Sequence, residues 1–250
     1  MLHPCGVKHY KFRFLINGDR YDTQAKLGRT SYLGQSLAKM TSSSISVREL
    51  PLFPLPELVL FPGQSLPLHI FEYRYRMMIN TVLESDRMFG VVMWDSETGK
   101  PANIGCVAQI VQYHRLPDDR FKLLTLGQQR FRVLEYVRET PYRVGLVEWI
   151  EDEPSNDAPF LLATEVRELL NDVIRLSQKL TDQEIELPKI PRGPIELSYW
   201  IASNFQGASL EQQSLLETLD TAGRLRREAE ILSSTRSQLA ARTVLKDTFK

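Results

Sequence analysis

Cysteine is scarce in this chain. Its 250 residues hold two, Cys5 and Cys106. They lie far apart and in different kinds of segment, which excludes a disulfide framework and makes a reducing cytosol the default compartment. Histidine is nearly as scarce. His3 and His9 flank Cys5 in an irregular leader, while His69 and His114 stand alone, so no second cluster completes a four-ligand structural zinc site. No run of about 18 apolar residues occurs, so no membrane span is expected. Charge of either sign is not in excess: Lys plus Arg equals Asp plus Glu, at 31 each. That balance argues against non-specific nucleic-acid binding, which needs surplus cations to neutralise phosphates. The pattern Gly-x-x-x-x-Gly-Lys-Ser/Thr is absent, and with it the backbone cradle and lysine of a phosphate-binding loop. No cofactor and no metal is expected, and no internal repeat stands out.

What is present is organised around one stretch, Glu49 to Arg76. Between Glu49 and Glu72 its one charge is Glu57, and it carries five prolines, Pro51, Pro54, Pro56, Pro62 and Pro67. Proline lacks the N–H that a sheet ladder uses and fixes its own φ. Short strands broken at each proline are therefore expected, near 50–53, 57–61 and 66–70, with a Pro62-Gly63 turn whose glycine takes positive φ. The period then changes: Phe71, Tyr75, Met78, Val82 and Leu83 recur at helical spacing, predicting a helix over about 71–84.

Upstream, residues 1–46 are basic, poor in acids and without period, ending in the flexible Ser42-Ser-Ser44. They contain no apolar core of a secretory signal. They read as a disordered extension or as sequence upstream of a natural start at Met40; an organellar transit peptide is the alternative. Downstream, strands are expected at 87–94, 104–115, 121–126 (a hairpin across Pro117–Arg120), 130–137 and 142–150. In 130–137, Phe131 and Val133 alternate with Arg130 and Arg132, suggesting one solvated face. An acidic linker follows, Glu151 to Asp157. Helices are then expected at 159–180, 195–204, from a Ser209/Gln212 capping box, and from Asp220-Thr221 onward, with Arg224, Arg226 and Arg227 on the outer face of the last. The expected domains are thus a leader (1–46), a strand-rich unit (47–152) and a bundle of about four helices (158–248): an α+β chain.

Leu-Pro-Leu-Phe-Pro-Leu55, Val-Leu-Phe-Pro-Gly63 and Leu-Pro-Leu-His-Ile-Phe-Glu72 with Arg74 and Arg76 carry a family resemblance. So do Ile104–Ile110, Gly127–Val133 and Pro141–Val147. Over roughly 47–248 the chain resembles the Lon-type N-terminal, substrate-binding domain, and the stand-alone bacterial proteins built from that domain alone. The resemblance implies a small PUA-like β-barrel followed by the helical bundle. It carries no proteolysis onto this chain, because a Lon protease also needs an ATPase module and a Ser–Lys proteolytic domain, and barrel and bundle already use the 250 residues.

Three functional readings follow. The first, implied by the resemblance, is a non-catalytic, cytoplasmic module that recognises unfolded or degron-bearing polypeptides, alone or as adaptor for a separate ATP-dependent protease. Its expected contacts are Phe61, Phe71, Tyr73, Tyr75 and Trp94, in a groove between barrel and bundle or along a free strand edge. The second is an RNA-binding module using Arg130, Arg132, Arg138 and Arg143 with Phe131, Tyr136 and Tyr142; Glu135, Glu139 and Glu148, interleaved among those arginines, favour a plain solvated face instead. The third is a small hydrolase using Cys106 with His69 or His114, against the expectation that Cys106 is a buried hydrophobe.

Overall fold

The computed structural model describes residues 11–12, 47–154, 158–181 and 189–248. In chain order these form β1 (Lys11–Phe12), β2 (Val47–Pro56), β3 (Ser65–Ile70), α1 (Tyr73–Leu83), β4 (Met88–Asp95), β5 (Lys100–Pro101), β6 (Ile104–Arg115), β7 (Phe121–Arg138) and β8 (Arg143–Ile150). Then come α2 (Pro159–Thr181), α3 (Pro194–Ser203), β9 (Phe205–Gln206), α4 (Ser209–Glu217) and α5 (Thr221–Thr248). The chain is mixed α/β, sheet-rich first and helical after Ile150. β1 pairs antiparallel with β9; the rest of the 1–46 leader, including the triad His3, Cys5 and His9, lies outside the described residues.

β2 runs unbroken through three prolines, where separate strands were expected. The ladder explains why. Residues 47–52 pair with β8 and residues 52–56 with β4, so β2 changes partner at Leu52. The N–H of Glu57 donates to the Trp94 carbonyl, so by strand alternation residues 53 and 55 also face β4, and Pro54 and Pro56 point to the side β8 has left. Pro51 has the opposite parity and points to the side where β4 has not yet begun. No proline removes a ladder hydrogen bond. The expected strand at 57–61 is a loop instead: Glu57 turns with φ +52°, and Val59, Leu60 and Phe61 are buried by packing. Gly63 takes φ +77°, as a Pro-Gly turn requires.

β7 is one continuous strand where two were expected. Gly127 does not end it. The loop before β3 lies against it there: Gly63 N–H donates to Gly127 O, and Gly127 N–H to Gln64 O, both at 2.8 Å. A Cβ on Gly127 would lie 2.1 Å from the Phe61 carbonyl oxygen, so glycine serves close approach.

β2 pairs β8, β8 pairs β7, β7 pairs β6, β6 pairs β4, and β4 returns to β2. Leu50, Leu52, Val92, Val107, Phe131, Val133 and Val147 form one core cluster to which each of these five strands contributes. A second cluster packs α1 on the sheet through Tyr75, Met78, Ile79 and Val82; burying Met78, Ile79 and Val82 contributes roughly 1.5–3 kcal/mol each. A third joins sheet to helices, with Phe61, Ile104 and Ile150 against Leu170, Tyr199, Leu216 and Leu225. α2 and α5 run side by side in the same direction, as the contacts of Asp172 with Arg236 and of Lys179 with Lys246 show.

Candidate functional site

The five aromatics expected to bind polypeptide do not form one surface. Phe61 is fully buried, with its ring 6.3 Å from that of Tyr199. Tyr75 is buried against Phe53 in an edge-to-face pair, centroids 4.4 Å apart. Both are core residues. The reason is helical geometry for Tyr75, which shares the inward stripe of Met78 and Val82. For Phe61 it is the proline-rich loop that carries it under the helices. Trp94, near the end of β4, is half-buried beneath the Arg143 guanidinium at 5.2 Å. Phe71 and Tyr73 stand out, 60% and 69% exposed.

Phe71 and Tyr73 sit at the corner where β3 turns into α1. Glu72 occupies the N-cap position with extended backbone, and its carboxylate takes Arg74 rather than an amide of the first turn. Met77, one turn beyond Tyr73, is also exposed and extends the apolar surface. Arg76 lies over the Tyr73 ring at 5.5 Å and donates to the Asp118 carbonyl of the β6–β7 turn, so corner and turn are joined. The His69 ring lies 6.0 Å from that of Phe71. His69, Lys122 and His114 are directly opposite one another across β3, β7 and β6 and are exposed on one face.

The outer edge of β3 is not a free template. Gly127 N–H to Gln64 O makes the even positions of β3 face β7, so Ser65, Pro67 and His69 face outward. Pro67 removes the central donor of that edge, a common guard against strand addition.

Sheet and helices do enclose a cleft, but none of the five expected aromatics lines it. A cleft of about 630 Å³ is bounded by Asp95, Lys100, Ala102, Asn103 and Arg132 on the sheet side. Leu210, Gln213, Ser214 and Glu217, a stripe at helical spacing on α4, form the other wall. The Ser209 hydroxyl donates to Glu57, whose other oxygen accepts from Ser96 N–H; the two hydrogen bonds on the Glu57 side chain hold its acid below the ordinary range. Ser209 thus bridges to the sheet instead of capping α4, and the expected capping box is not made.

Of the four arginines expected to bind RNA, Arg138 is exposed over the Tyr142 ring at 4.8 Å, Arg132 and Arg143 are half-buried, and Arg130 leaves the surface. Arg130 is buried and donates to Asp152 and to the Leu216 and Thr218 carbonyls, at 2.7 and 2.9 Å. Arg132 pairs with Glu148 at 2.6 Å. Arg224, expected on an outer face, is fully buried and also grips Asp152. Asp152 itself falls in the segment read as an acidic linker. Thr221 and Tyr199 hydroxyls complete its ring of donors; burial pushes the Tyr199 hydroxyl up to about 12. Sequence periodicity alone carries no sign of this cluster, because its members come from β7, the linker, α3 and α5.

Cys106 is buried, with its thiol against the Val107 and Gln128 carbonyls, and burial pushes its ionisation far up. His114 is roughly 26 Å further along the same strand at about 3.3 Å per residue, and His69 is level with it across the ladder. The thiol–imidazole pair required for a hydrolase is not formed. Among the described residues no group of three His, Cys, Asp or Glu is placed to hold a metal ion, and no helix is long and apolar enough to cross a membrane.

The family model for the ATP-dependent protease La (LON) substrate-binding domain matches residues 49–234. Lon protease 2 of Myxococcus xanthus is 31% identical over 198 residues, which cover 76% of this chain and 24% of that protein. The Lon protease of Roseiflexus castenholzii is 32% identical over 203 residues, covering 74% and 25%. This chain therefore spans about a quarter of the length of the curated relatives it matches. Among solved structures, the Lon N-terminal domain protein from Xanthomonas campestris superposes with a TM-score of 0.53 at 30% identity, covering 72% of this chain and 96% of that one. The N-terminal domain of the Mycobacterium avium complex Lon protease superposes at 0.58 with 18% identity, covering 74% and 98%, a likeness of fold.

Proposed function

Since the chain belongs to the LON substrate-binding domain family, we propose that it is a non-catalytic module that binds unfolded or degron-bearing polypeptide segments, alone or as adaptor for a separate ATP-dependent protease. We read the ring of five strands as the small PUA-like barrel of that domain and the helices as its companion bundle.

The observation that carries this reading is the corner of Phe71, Tyr73 and Met77. A contiguous exposed apolar patch is the informative kind, and here Phe71 and Tyr73, with the partly exposed Met77 one turn on, stand together at one corner. They require no rearrangement to meet a partner. Support for the non-catalytic part comes from the buried, high-pKa Cys106 and its distance from both imidazoles.

The test is fluorescence anisotropy of a labelled, reduced and alkylated protein titrated with the full chain, at two salt concentrations, with a gel of the same samples plus ATP. Saturable binding without cleavage is expected. Binding should weaken in a Phe71→Ser, Tyr73→Ser double variant that melts like the parent. Absence of binding at tens of micromolar overturns the reading, and cleavage overturns its non-catalytic part.

A further inference from the structure

Around the exposed corner the charges do not cancel. Glu72 pairs with Arg74, Asp119 with Arg115 and Asp118 with Arg120, each within 2.9 Å. The three carboxylates of the corner and the adjoining β6–β7 turn are thereby taken. Two cations are left over. Arg76 has no carboxylate partner among the described residues; it reaches a carbonyl and the Tyr73 ring, and its Nε is buried without a hydrogen-bond partner. Lys122 is exposed, between His69 and His114, and has no ion-pair partner among the described residues. A chain with zero formal net charge thus presents its apolar corner inside a locally cationic frame.

We propose that this corner selects polypeptide segments in which aromatic or large aliphatic residues stand next to acidic ones. The proposal rests on the polypeptide-binding reading and names the class of segment. Phe71, Tyr73 and Met77 cover the apolar side chains of the ligand. Arg76 and Lys122 meet its carboxylates from either side, Arg76 through a planar fork already held by stacking on Tyr73. Because Pro67 guards the β3 edge, recognition works through side chains and tolerates different sequences of that composition. Electrostatic complementarity of this kind also disfavours the wrong partner, since a lysine-rich segment would bring like charges together.

The experiment uses the full chain and three labelled twelve-residue peptides: one with aromatics among glutamates, one with the same aromatics among lysines, and one with glutamates among serines. The first is expected to bind at least about tenfold tighter than either of the others, a difference of about 1.4 kcal/mol. Lys122→Glu should weaken it roughly fivefold, and raising salt should shrink that gap. The Phe71→Ser, Tyr73→Ser variant should reduce all binding to that of the serine peptide. Equal affinity for the glutamate and lysine aromatics overturns the selection by charge and leaves polypeptide binding standing. Unchanged affinity in both the Lys122 and the aromatic variants overturns the location. Failure of the parent to bind any peptide, or the unfolded protein, overturns the underlying reading. A single-stranded RNA that displaces the acidic peptide from the same residues at lower concentration overturns the choice of polypeptide as ligand.

Discussion

Arg224 and Asp152 meet as a fork on a carboxylate: Arg224 Nη1 donates to Asp152 Oδ1 at 2.8 Å, and Nη2 to Oδ2. One comes from the last helix and the other from the segment leaving the sheet. Arg130 of β7 reaches the same carboxylate, so one acid holds a cation from each half of the molecule. Removing it strands two buried guanidinium groups. Asp152→Ala is therefore expected to lose about 3–5 kcal/mol, read as a lowered denaturation midpoint in urea or guanidinium. Its acid is held below the ordinary carboxylate range by hydrogen bonds and charge from Arg224, with Thr221 and Arg130 adding, against the opposing cost of burial. A lowered acid contributes stability that is present above the unfolded pKa and lost as pH falls through the folded one. A parent that loses no more stability in acid than Asp152→Asn would contradict this.

Glu228 is the opposite case. It is fully buried on α5, both carboxylate oxygens lack a hydrogen-bond partner among the described residues, and burial raises its pKa well above the ordinary value despite the nearby Arg224. A raised acid binds its proton more tightly when folded, so its cost to stability grows as pH rises above the unfolded pKa. Glu228→Gln should be more stable than the parent at pH 8 and nearly equal at pH 4. Chemical denaturation at both values checks it; a gap that narrows with rising pH would refute it.

Gly127→Ala tests the close approach of the loop to β7. The added methyl would meet the Phe61 carbonyl at 2.1 Å, and backbone cannot swing aside as a side chain can. A loss of about 1–3 kcal/mol is expected, with faster amide exchange over residues 61–64. A neutral substitution would mean that the loop is free to move.

Cys106 should resist thiol reagents in the folded protein, because it is buried and its thiol is held protonated by burial. In a Cys5→Ala background, labelling is expected to follow global unfolding as denaturant is raised. Rapid labelling in buffer alone would reopen the thiol as a chemical group.

Much of the fold was legible in local pattern. Strand alternation marked Ile104–Arg115 and Arg143–Ile150, the change to helical spacing marked Tyr73–Leu83, and Asp220 capped the last helix through the amides of Ala222 and Gly223. Two of the five expected contact residues, Phe71 and Tyr73, are surface aromatics. Tyr75 had a signal, its helical spacing with the inward Met78 and Val82; Phe61 had none, because an aromatic residue in a proline-rich stretch reads the same whether it faces in or out. Met77 had a signal in its spacing of four from Tyr73, and Lys122 had none.

By itself the sequence determined the order of the main strands and helices, the missing nucleotide loop and the family, since these rest on periodicity, turn chemistry and motifs between near neighbours. Tertiary structure decided which charges are solvated. Arg130 and Arg224 look like surface arginines until Asp152 is brought between them from a distance of 22 and 72 positions. Burial of a charge depends on a partner that only folding supplies. The same holds at the apolar corner: its cationic excess appears when pairing has consumed Glu72, Asp118 and Asp119, and pairing is a property of space rather than of sequence order.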